Sequence, residues 1–244
     1  MNAGYSSTIK DFLGCNPDMV VGALARQIAA SGISRQHSKQ IDVWSRQVEV
    51  IEKALKELAR LDENVASWTL VLEYPIPRRQ KRPDVIILTD SMIFVIEFKF
   101  GAVDYDAASR WQAEDYALNL RDFHAESFER VIVPVLCSTD ARAIDGQDFH
   151  LNGIFVAPLL KANSENLGKI LKTSYRALKN SCHSAALDAS AWISSVYRPT
   201  LTIIEAAETL YENHSVRDIS HNYAENLSAT TDMVAQAILV PERH

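Results

Sequence analysis

The spacing of apolar residues predicts a long helix followed by three strands. Between positions 42 and 61, apolar residues recur at alternating steps of four and three, which is the spacing of one face of an α-helix. They are Trp44, Val48, Ile51, Leu55 and Leu58. Three runs rich in Val, Ile, Leu and Phe follow, at 69–74, 84–89 and 92–99. This composition is typical of strands whose sheet is covered on both faces.

The pattern beyond residue 100 predicts further helices and strands. A helix is expected at 106–124, and strands are expected at 131–137 and 153–157. Two more helices are predicted at 165–180 and 184–195. Helices that alternate with strands in this order predict an α/β domain, with a central mixed sheet of about four or five strands flanked by helices.

The two ends of the chain differ from this central pattern. Residues 1–40 are weakly periodic and contain scattered Pro and Gly, so short helices and loops are expected there. After the break at Arg198-Pro199, two short helices are predicted near 202–212 and 227–238. The predicted organisation is therefore an N-terminal extension at 1–40, an α/β domain at 41–195 and a helical accessory segment at 196–244.

Composition and charge limit the classes of function. The chain has 244 residues, 47% of them apolar and 23% charged, as in ordinary globular proteins. Its net charge is −6, and from Thr200 onward seven acidic residues face only two arginines. Such a balance disfavours a protein that coats nucleic acid by charge alone. A local basic cluster still leaves room for a nucleic-acid contact, and its members are Arg78, Arg79, Lys81 and Arg82.

Cysteine usage and the terminal sequence indicate a compartment. The three cysteines are far apart and form no CxxC pair, which argues against a zinc ribbon or a disulfide framework and favours a reducing environment. The first residues lack the charged and apolar regions of a signal peptide, and no apolar run is long enough for a transmembrane helix. We therefore expect a cytoplasmic protein without a membrane partner.

The strand ends bring acidic side chains together. If the runs at 84–89 and 92–99 form an antiparallel hairpin, opposed residues have numbers that sum to about 181, so Asp84 lies opposite Glu97. Lys99 follows Glu97 by two residues and points to the same face. Glu73 ends the preceding run at the same end of the sheet. Glu73, Asp84, Glu97 and Lys99 are therefore predicted to converge on one patch.

Neighbouring carboxylates predict a metal site. They repel each other and shift each other's pKa values, and a hard divalent cation relieves that repulsion. Mg²⁺ takes one or two carboxylates together with water and phosphate oxygens. Lys99 beside such a cation could position or deprotonate an attacking water. Two alternatives remain open: Glu97 and Lys99 could form a simple edge-strand ion pair, and Asp84 could only cap the start of a strand.

The spacing Pro83-Asp84 … Glu97-Phe98-Lys99 resembles the PD-(D/E)XK nuclease superfamily. The resemblance implies a restriction-endonuclease-like αβββαβ core, in which Asp84 and Glu97 bind Mg²⁺ or Mn²⁺. It also implies that the Phe98 carbonyl is a further metal ligand and that Lys99 is the catalytic lysine. Glu73 lies outside the minimal signature, and it is included as a metal ligand on strand register alone.

The helix predicted at 106–124 strengthens the resemblance. Gln112 and Tyr116, in WQAEDY, are similar to the Q-xxx-Y motif of the RecB-like branch, in which these residues arrange the site and contact the substrate. Residues four apart share one helix face, so both can face the metal patch. A buried tyrosine with a neighbouring amide is the alternative. Some superfamily members also carry a helical acid before the first strand, for which Glu49 and Glu52 are weak candidates.

A second resemblance concerns the end of the chain. The segment VYRPTLTIIEAAETLYENHSVRDIS, with EYPIPRR and DYALNLRDFH, resembles uncharacterised bacterial proteins. Those proteins join a nuclease-like domain to a superfamily-1 helicase-like ATPase and are sometimes described as Schlafen-like. The printed sequence contains no GxxxxGK[ST] motif. The resemblance therefore implies an ATPase partner, either in the same polypeptide or as a separate protein.

The function predicted from these features is that of a Mg²⁺- or Mn²⁺-dependent nuclease, acting on DNA rather than RNA, in DNA processing or defence against foreign DNA. Arg78, Arg79, Lys81 and Arg82 would contact the phosphate backbone or form a solvated loop. One alternative is a catalytically inactive nuclease fold that binds nucleic acid or protein and serves an ATPase. Another is a protein-interaction domain whose acidic tail docks a partner.

Overall fold

The computed structural model describes residues 3–30, 37–60, 63–76, 82–151, 155–181 and 186–197. The described residues as far as Val196 belong to one compact unit. The helices predicted near 202–212 and 227–238 lie outside the described residues.

The described part of the chain forms an α/β structure built on a six-stranded mixed sheet. The strands are β1 (Tyr5–Thr8), β2 (Thr69–Leu72), β3 (Val85–Leu88), β4 (Met92–Lys99), β5 (Val131–Ser138) and β6 (Leu160–Ala162). They lie side by side in chain order. Neighbours from β1 to β4 are antiparallel, whereas β5 runs parallel to both β4 and β6.

Helices cover both faces of this sheet. They are α1 (Ile9–Gly14), α2 (Pro17–Ala30), α3 (His37–Ala59), α4 (Ala107–Phe123), α5 (Leu167–Leu178) and α6 (Ala189–Ser194). Short 3₁₀ helices lie at Glu63–Ser67, Ala125–Ser127 and Lys179–Ser181. One apolar core lies between the sheet and α1, α2, α3 and α5, and α4 packs against β4 and β5 from the other side.

The alternation along β4 divides its side chains between these two layers. Phe94, Ile96 and Phe98 belong to the core that includes α3, whereas the intervening Glu97 and Lys99 are hydrogen-bonded to α4. Because both faces are covered, nearly the whole strand is buried and its sequence is apolar up to Glu97. The first charged side chains of β4 therefore occur at its carboxyl end, beneath α4.

The structure confirms the predicted α/β class, with six strands where the sequence predicted about four or five. Strand β1 was not predicted because its sequence, Tyr-Ser-Ser-Thr, is polar and lies at the sheet edge. The strand predicted at 153–157 is wrong in position: Val156 forms only an isolated bridge with Ile132, and the regular strand is β6. Pro158 lies between them, and a proline cannot donate a ladder hydrogen bond.

None of the helices in the described segments combines the length and the apolar character that crossing a membrane requires.

Candidate functional site

The β3–β4 hairpin has the register predicted from the sequence. Val85 lies opposite Ile96, and one step further this register sets Asp84 opposite Glu97. The backbone N–H of Phe98 donates to Asp84 Oδ2 at 2.8 Å, which ties the aspartate to the end of β4. The two carboxyl-bearing residues thus meet at one end of the sheet.

Glu73 lies at the same end, in line with β2. Its backbone N–H donates to the Asp84 carbonyl at 3.1 Å, so the β2–β3 pairing continues one residue beyond both strands. Glu73 has a positive φ of 52°, and Oε1 of its carboxyl accepts a hydrogen bond from the Trp44 indole at 2.9 Å. The structure therefore places Glu73 where the sequence predicted it, but α3 holds one of its oxygens.

Lys99 and Gln112 form a hydrogen-bonded network around Glu97. The Lys99 ammonium lies 2.9 Å from Glu97 Oε1 and donates to Gln112 Oε1 at 2.9 Å. The Gln112 amide nitrogen donates to Glu97 Oε1 and to the Tyr116 hydroxyl, both at 2.8 Å. The structure thus brings Gln112 and Tyr116 to the same patch as the charged pair.

Helix α4 fixes the position of this amide. The helix begins after Asp106, whose carboxylate accepts from the Ser109 N–H at 2.9 Å as an N-cap. Gln112 and Tyr116 follow at a spacing of four, so they lie one above the other on the face toward the sheet. Tyr116 is buried, which anchors the helix beside β4.

One carboxylate oxygen of Glu97 has no hydrogen-bond partner among the residues that the structure describes. Glu97 is 4% exposed, and Oε1 accepts from both Lys99 and Gln112. Oε2 is buried and makes no hydrogen bond within the described part of the structure. Nearly all buried polar atoms in folded proteins are hydrogen-bonded, so this carboxylate oxygen, next to a second carboxyl group, can accept a proton or a cation.

The electrostatics of the patch favour protonation in the absence of a cation. Burial, followed by repulsion from Glu97 and Glu73, raises the pKa of Asp84 well above its ordinary value, although the Phe98 N–H and Lys99 act in the opposite direction. Burial also raises the pKa of Glu97, and Lys99 opposes that shift. The two carboxyl groups therefore titrate as a pair rather than independently.

Burial likewise raises the pKa of Glu73, while the Trp44 hydrogen bond and the nearby Arg82 favour its ionised form. Arg82 is the described member of the predicted basic cluster. Its electrostatic effect on Glu73 places its charge near the carboxyl groups. Arg78, Arg79 and Lys81 lie outside the described residues.

Helix α3 supplies two contacts that sequence reasoning missed. Trp44 binds Glu73, and the Gln47 amide nitrogen donates to the Asp84 carbonyl at 3.0 Å. Gln47 is 1% exposed, and its Oε1 has no hydrogen-bond partner among the described residues. The available signal was a glutamine on the apolar face of the predicted helix, where a polar side chain needs a structural or functional reason.

The helical acids considered from the sequence occupy a different position. Glu52 forms a 2.7 Å ion pair with Lys56 one turn later, as expected for a solvated helix face. In the described structure, hydrogen bonds from α3 to the site residues come from Trp44 and Gln47.

The donor set fits a hard cation only in part. Among the residues that the structure describes, no group of three or more His, Cys, Asp and Glu is placed to hold a metal ion. Asp84 and Glu97 supply two carboxylates, and Phe98 supplies a backbone carbonyl. The Phe98 ring stacks on the Phe100 ring with 5.5 Å between centroids. Two carboxylates suffice for Mg²⁺ when water and substrate phosphate complete its shell.

Comparison with known proteins gives no further guidance. No protein-family model matches the chain, and no curated protein or solved structure shows a significant similarity to it.

Proposed function

We propose that this protein is a Mg²⁺- or Mn²⁺-dependent nuclease, and that its described residues form a PD-(D/E)XK-type core. The order α3, β2, β3, β4, α4, β5 corresponds to the αβββαβ arrangement implied by the sequence resemblance. The proposal is carried by one observation: Asp84 and Glu97 meet at a strand end with Lys99 2.9 Å from Glu97, and a buried Glu97 oxygen has no hydrogen-bond partner among the described residues.

Asp84 and Glu97 would hold the cation, with the Phe98 carbonyl as a further ligand. Glu73 would contribute through water, because the Trp44 indole uses one of its oxygens. When bound, Mg²⁺ or Mn²⁺ stabilises negative charge on a phosphate and lowers the pKa of water. The raised pKa values of both acids mean that ligation requires deprotonation, so cation affinity is expected to increase with pH.

Lys99 would act on the attacking water. Its side chain is 29% exposed, and its ammonium group is held between Glu97 and Gln112, so the residue combines a fixed position with partial access to solvent. Gln112 orients both members of this pair, and Tyr116 orients Gln112. Arg82, with Arg78, Arg79 and Lys81 of the same sequence cluster, would contact the phosphate backbone. DNA is the proposed substrate, in DNA processing or defence.

A cleavage assay tests the proposal. The full chain is incubated with labelled single-stranded and duplex DNA and with RNA of the same sequence, in Mg²⁺, Mn²⁺ or EDTA. We expect cleavage only with a divalent cation, and a loss of at least about a hundredfold in Asp84→Ala and Lys99→Ala. Asp104→Ala, which changes an exposed acid in the loop before α4, is the matched control and should cleave like the parent.

Cleavage by both site variants at the parental rate would show that the assigned residues are wrong. Cleavage that persists in EDTA would show that the reaction does not need the proposed cation.

A catalytically inactive nucleic-acid-binding module is the second candidate. It is favoured by the hydrogen bonds that Lys99, Gln112 and Tyr116 make with one another and with Glu97 Oε1, because these bonds form without a cation. Such a module would bind nucleic acid equally in EDTA and Mg²⁺ and would leave it intact, serving an ATPase partner. Binding that weakens steeply with salt, without any cleavage, would support this candidate over the nuclease.

A further inference from the structure

One of the four tryptophans lies on the surface beside the candidate site. Trp44, Trp68 and Trp192 are each at most 3% exposed, whereas Trp111 is 64% exposed. Tryptophan is large and apolar and is usually highly buried. All four tryptophans belong to the described residues, so the contrast holds for the whole chain.

Trp111 is adjacent to the network around Glu97. It precedes Gln112 on α4, and Gln112 contacts Lys99, Glu97 and Tyr116. Consecutive helical residues are separated by about 1.5 Å along the axis and about 100° around it. Because Gln112 contacts the Glu97 carboxylate and Trp111 is exposed, the indole lies on the solvent-facing side of α4, one residue before the glutamine of the site.

An exposed indole at this position suits an unpaired base. Stacking on an aromatic ring needs an accessible base face, which single strands offer and the interior of a duplex does not. The net charge of −6 makes binding by charge alone unfavourable, so a non-electrostatic contact has more to contribute. An aromatic ring stacks with any base, so the contact would be tolerant of sequence.

We propose that Trp111 is a stacking platform that receives a base of single-stranded nucleic acid as the strand enters the site at Asp84, Glu97 and Lys99. This inference rests on the proposed nuclease function and specifies its substrate as a single strand or an unpaired end.

Tryptophan fluorescence tests the inference directly. The full chain is titrated in EDTA, which prevents cleavage, with an oligo(dT) single strand and with a blunt duplex of equal length. Trp44 also contacts the site through Glu73, so the quenching is assigned to Trp111 by its loss in Trp111→Phe. We expect the single strand to quench the emission and the duplex to leave it unchanged.

Variants separate stacking from general binding. Trp111→Ala is expected to weaken oligo(dT) binding about tenfold, as measured by anisotropy of a labelled strand, and Trp111→Phe should recover most of the affinity. The matched control is Phe128→Ala. Phe128 is another exposed aromatic residue, 60% accessible, and it lies beyond the other end of α4. This control should bind like the parent.

Unchanged affinity in Trp111→Ala, or single-strand binding without quenching, would overturn the inference. Quenching by the duplex as strongly as by the single strand would also overturn it. The proposed function is judged separately, by cleavage in Mg²⁺ or Mn²⁺. If the protein binds the single strand with quenching but does not cleave it, the stacking site is supported and the nuclease assignment is wrong. If it cleaves duplex DNA without quenching, the nuclease assignment is supported and the stacking site is wrong.

Discussion

Asp84 and Glu97 place two acidic groups close together at one end of the sheet, an arrangement that does not stabilise the fold when both are charged. Burial raises both pKa values, and repulsion from Glu97 and Glu73 raises that of Asp84 further. The Phe98 N–H and the Lys99 ammonium oppose the shift of Asp84, and Lys99 opposes that of Glu97. A group whose pKa is higher in the folded state than in the unfolded state lowers stability as pH rises through the folded value. At neutral and alkaline pH these acids therefore oppose folding, unless a cation is bound.

Substituting Asp84 should therefore increase stability while removing activity. Asp84→Asn retains an oxygen that can accept from the Phe98 N–H and removes the charge that repels Glu97. We expect the free energy of unfolding to rise by about 1 kcal/mol, which is about 2–4 °C in Tm for a domain of this size, with the gain larger at pH 8 than at pH 5. Thermal unfolding in EDTA measures it, beside Asp104→Asn as the exposed control. A lower Tm for Asp84→Asn at pH 8 would contradict the proposed repulsion.

Gln112 should control the ionisation of its neighbours. Its amide nitrogen donates to Glu97 and Tyr116, and Gln112→Glu would replace this donor with a second anion beside Glu97. The pKa of Glu97 should then rise further, so the acidic limb of the pH–rate profile should move to higher pH and the rate at neutral pH should fall. Tyr116→Phe removes only a hydroxyl that accepts from the Gln112 amide, so the acidic limb of its pH–rate profile should lie at the same pH as in the parent. Coincident profiles for the parent and Gln112→Glu would show that Gln112 does not act on Glu97.

The candidate site could be predicted where it depends on strand periodicity. The register around residues 90 and 91 follows from turn chemistry and from the period of two, so the pairing of Asp84 with Glu97 was accessible from the sequence. The direction of the Glu73 side chain was not accessible, because it depends on a left-handed backbone conformation at a residue without a glycine signal. The contacts of Trp44 and Gln47 depend on helix-to-sheet docking, which periodicity alone does not specify.

At the scale of elements, α3 is the structural link between the core and the site. One face contributes Trp44 and Gln47 to the strand ends, and further along the helix Ala54 meets α5. The approach of α5 is close: a Cβ added to Gly168 would lie 2.9 Å from the Ala54 carbonyl oxygen. This packing fixes the α3 layer on which the positions of Glu73 and Asp84 depend.

Two glycine substitutions should therefore have opposite effects on the free energy of unfolding. Gly168→Ala should destabilise the protein by about 1–3 kcal/mol, because the backbone of α3 cannot yield to the added methyl group. Gly22→Ala, in α2, meets only the Arg26 guanidinium at 3.6 Å and should stabilise the helix by about 0.5–1 kcal/mol. Urea unfolding at constant pH gives both values. Equal effects of the two substitutions would mean that the α3–α5 contact is looser than described.

On the scale of the compact unit, the sheet and α4 are joined to α6, the last helix of the described residues, through a buried aromatic cluster. The Trp192 indole donates to Ser127 Oγ at 2.7 Å, and that hydroxyl lies 2.9 Å from His124 Nδ1. Tyr74, just after β2, packs against both rings, at 6.0 Å from His124 and 4.9 Å from Trp192. The direction of the hydrogen bond between the Ser127 hydroxyl and His124 Nδ1 depends on the imidazole tautomer, because a hydroxyl can both donate and accept.

This cluster should make the unit sensitive to acid. Burial lowers the pKa of His124 to about 4, although a carbonyl contact with Trp192 partly opposes the shift. Between pH 6.5 and 4 the unfolded chain binds a proton that the folded chain does not, so stability should fall with decreasing pH by about 3 kcal/mol. Above pH 6.5 the histidine is neutral in both states and contributes no slope.

The contribution of His124 can be isolated by comparison of slopes. Asp84, Glu97 and Glu73 have raised pKa values and act in the opposite direction, because their protonation in acid removes buried negative charge from the folded state. The pH dependence of the parent's free energy of unfolding therefore combines a loss of stability in acid from His124 with a gain from the three acids. His124→Gln removes one titrating group and leaves the acids in place, so its free energy of unfolding should fall less steeply from pH 6.5 to 4 than that of the parent. Phe128→Ala, at an exposed position without a titrating group, is the control and should keep the parental slope. If His124→Gln and the parent lose stability in parallel over this range, the imidazole is not held neutral by the cluster.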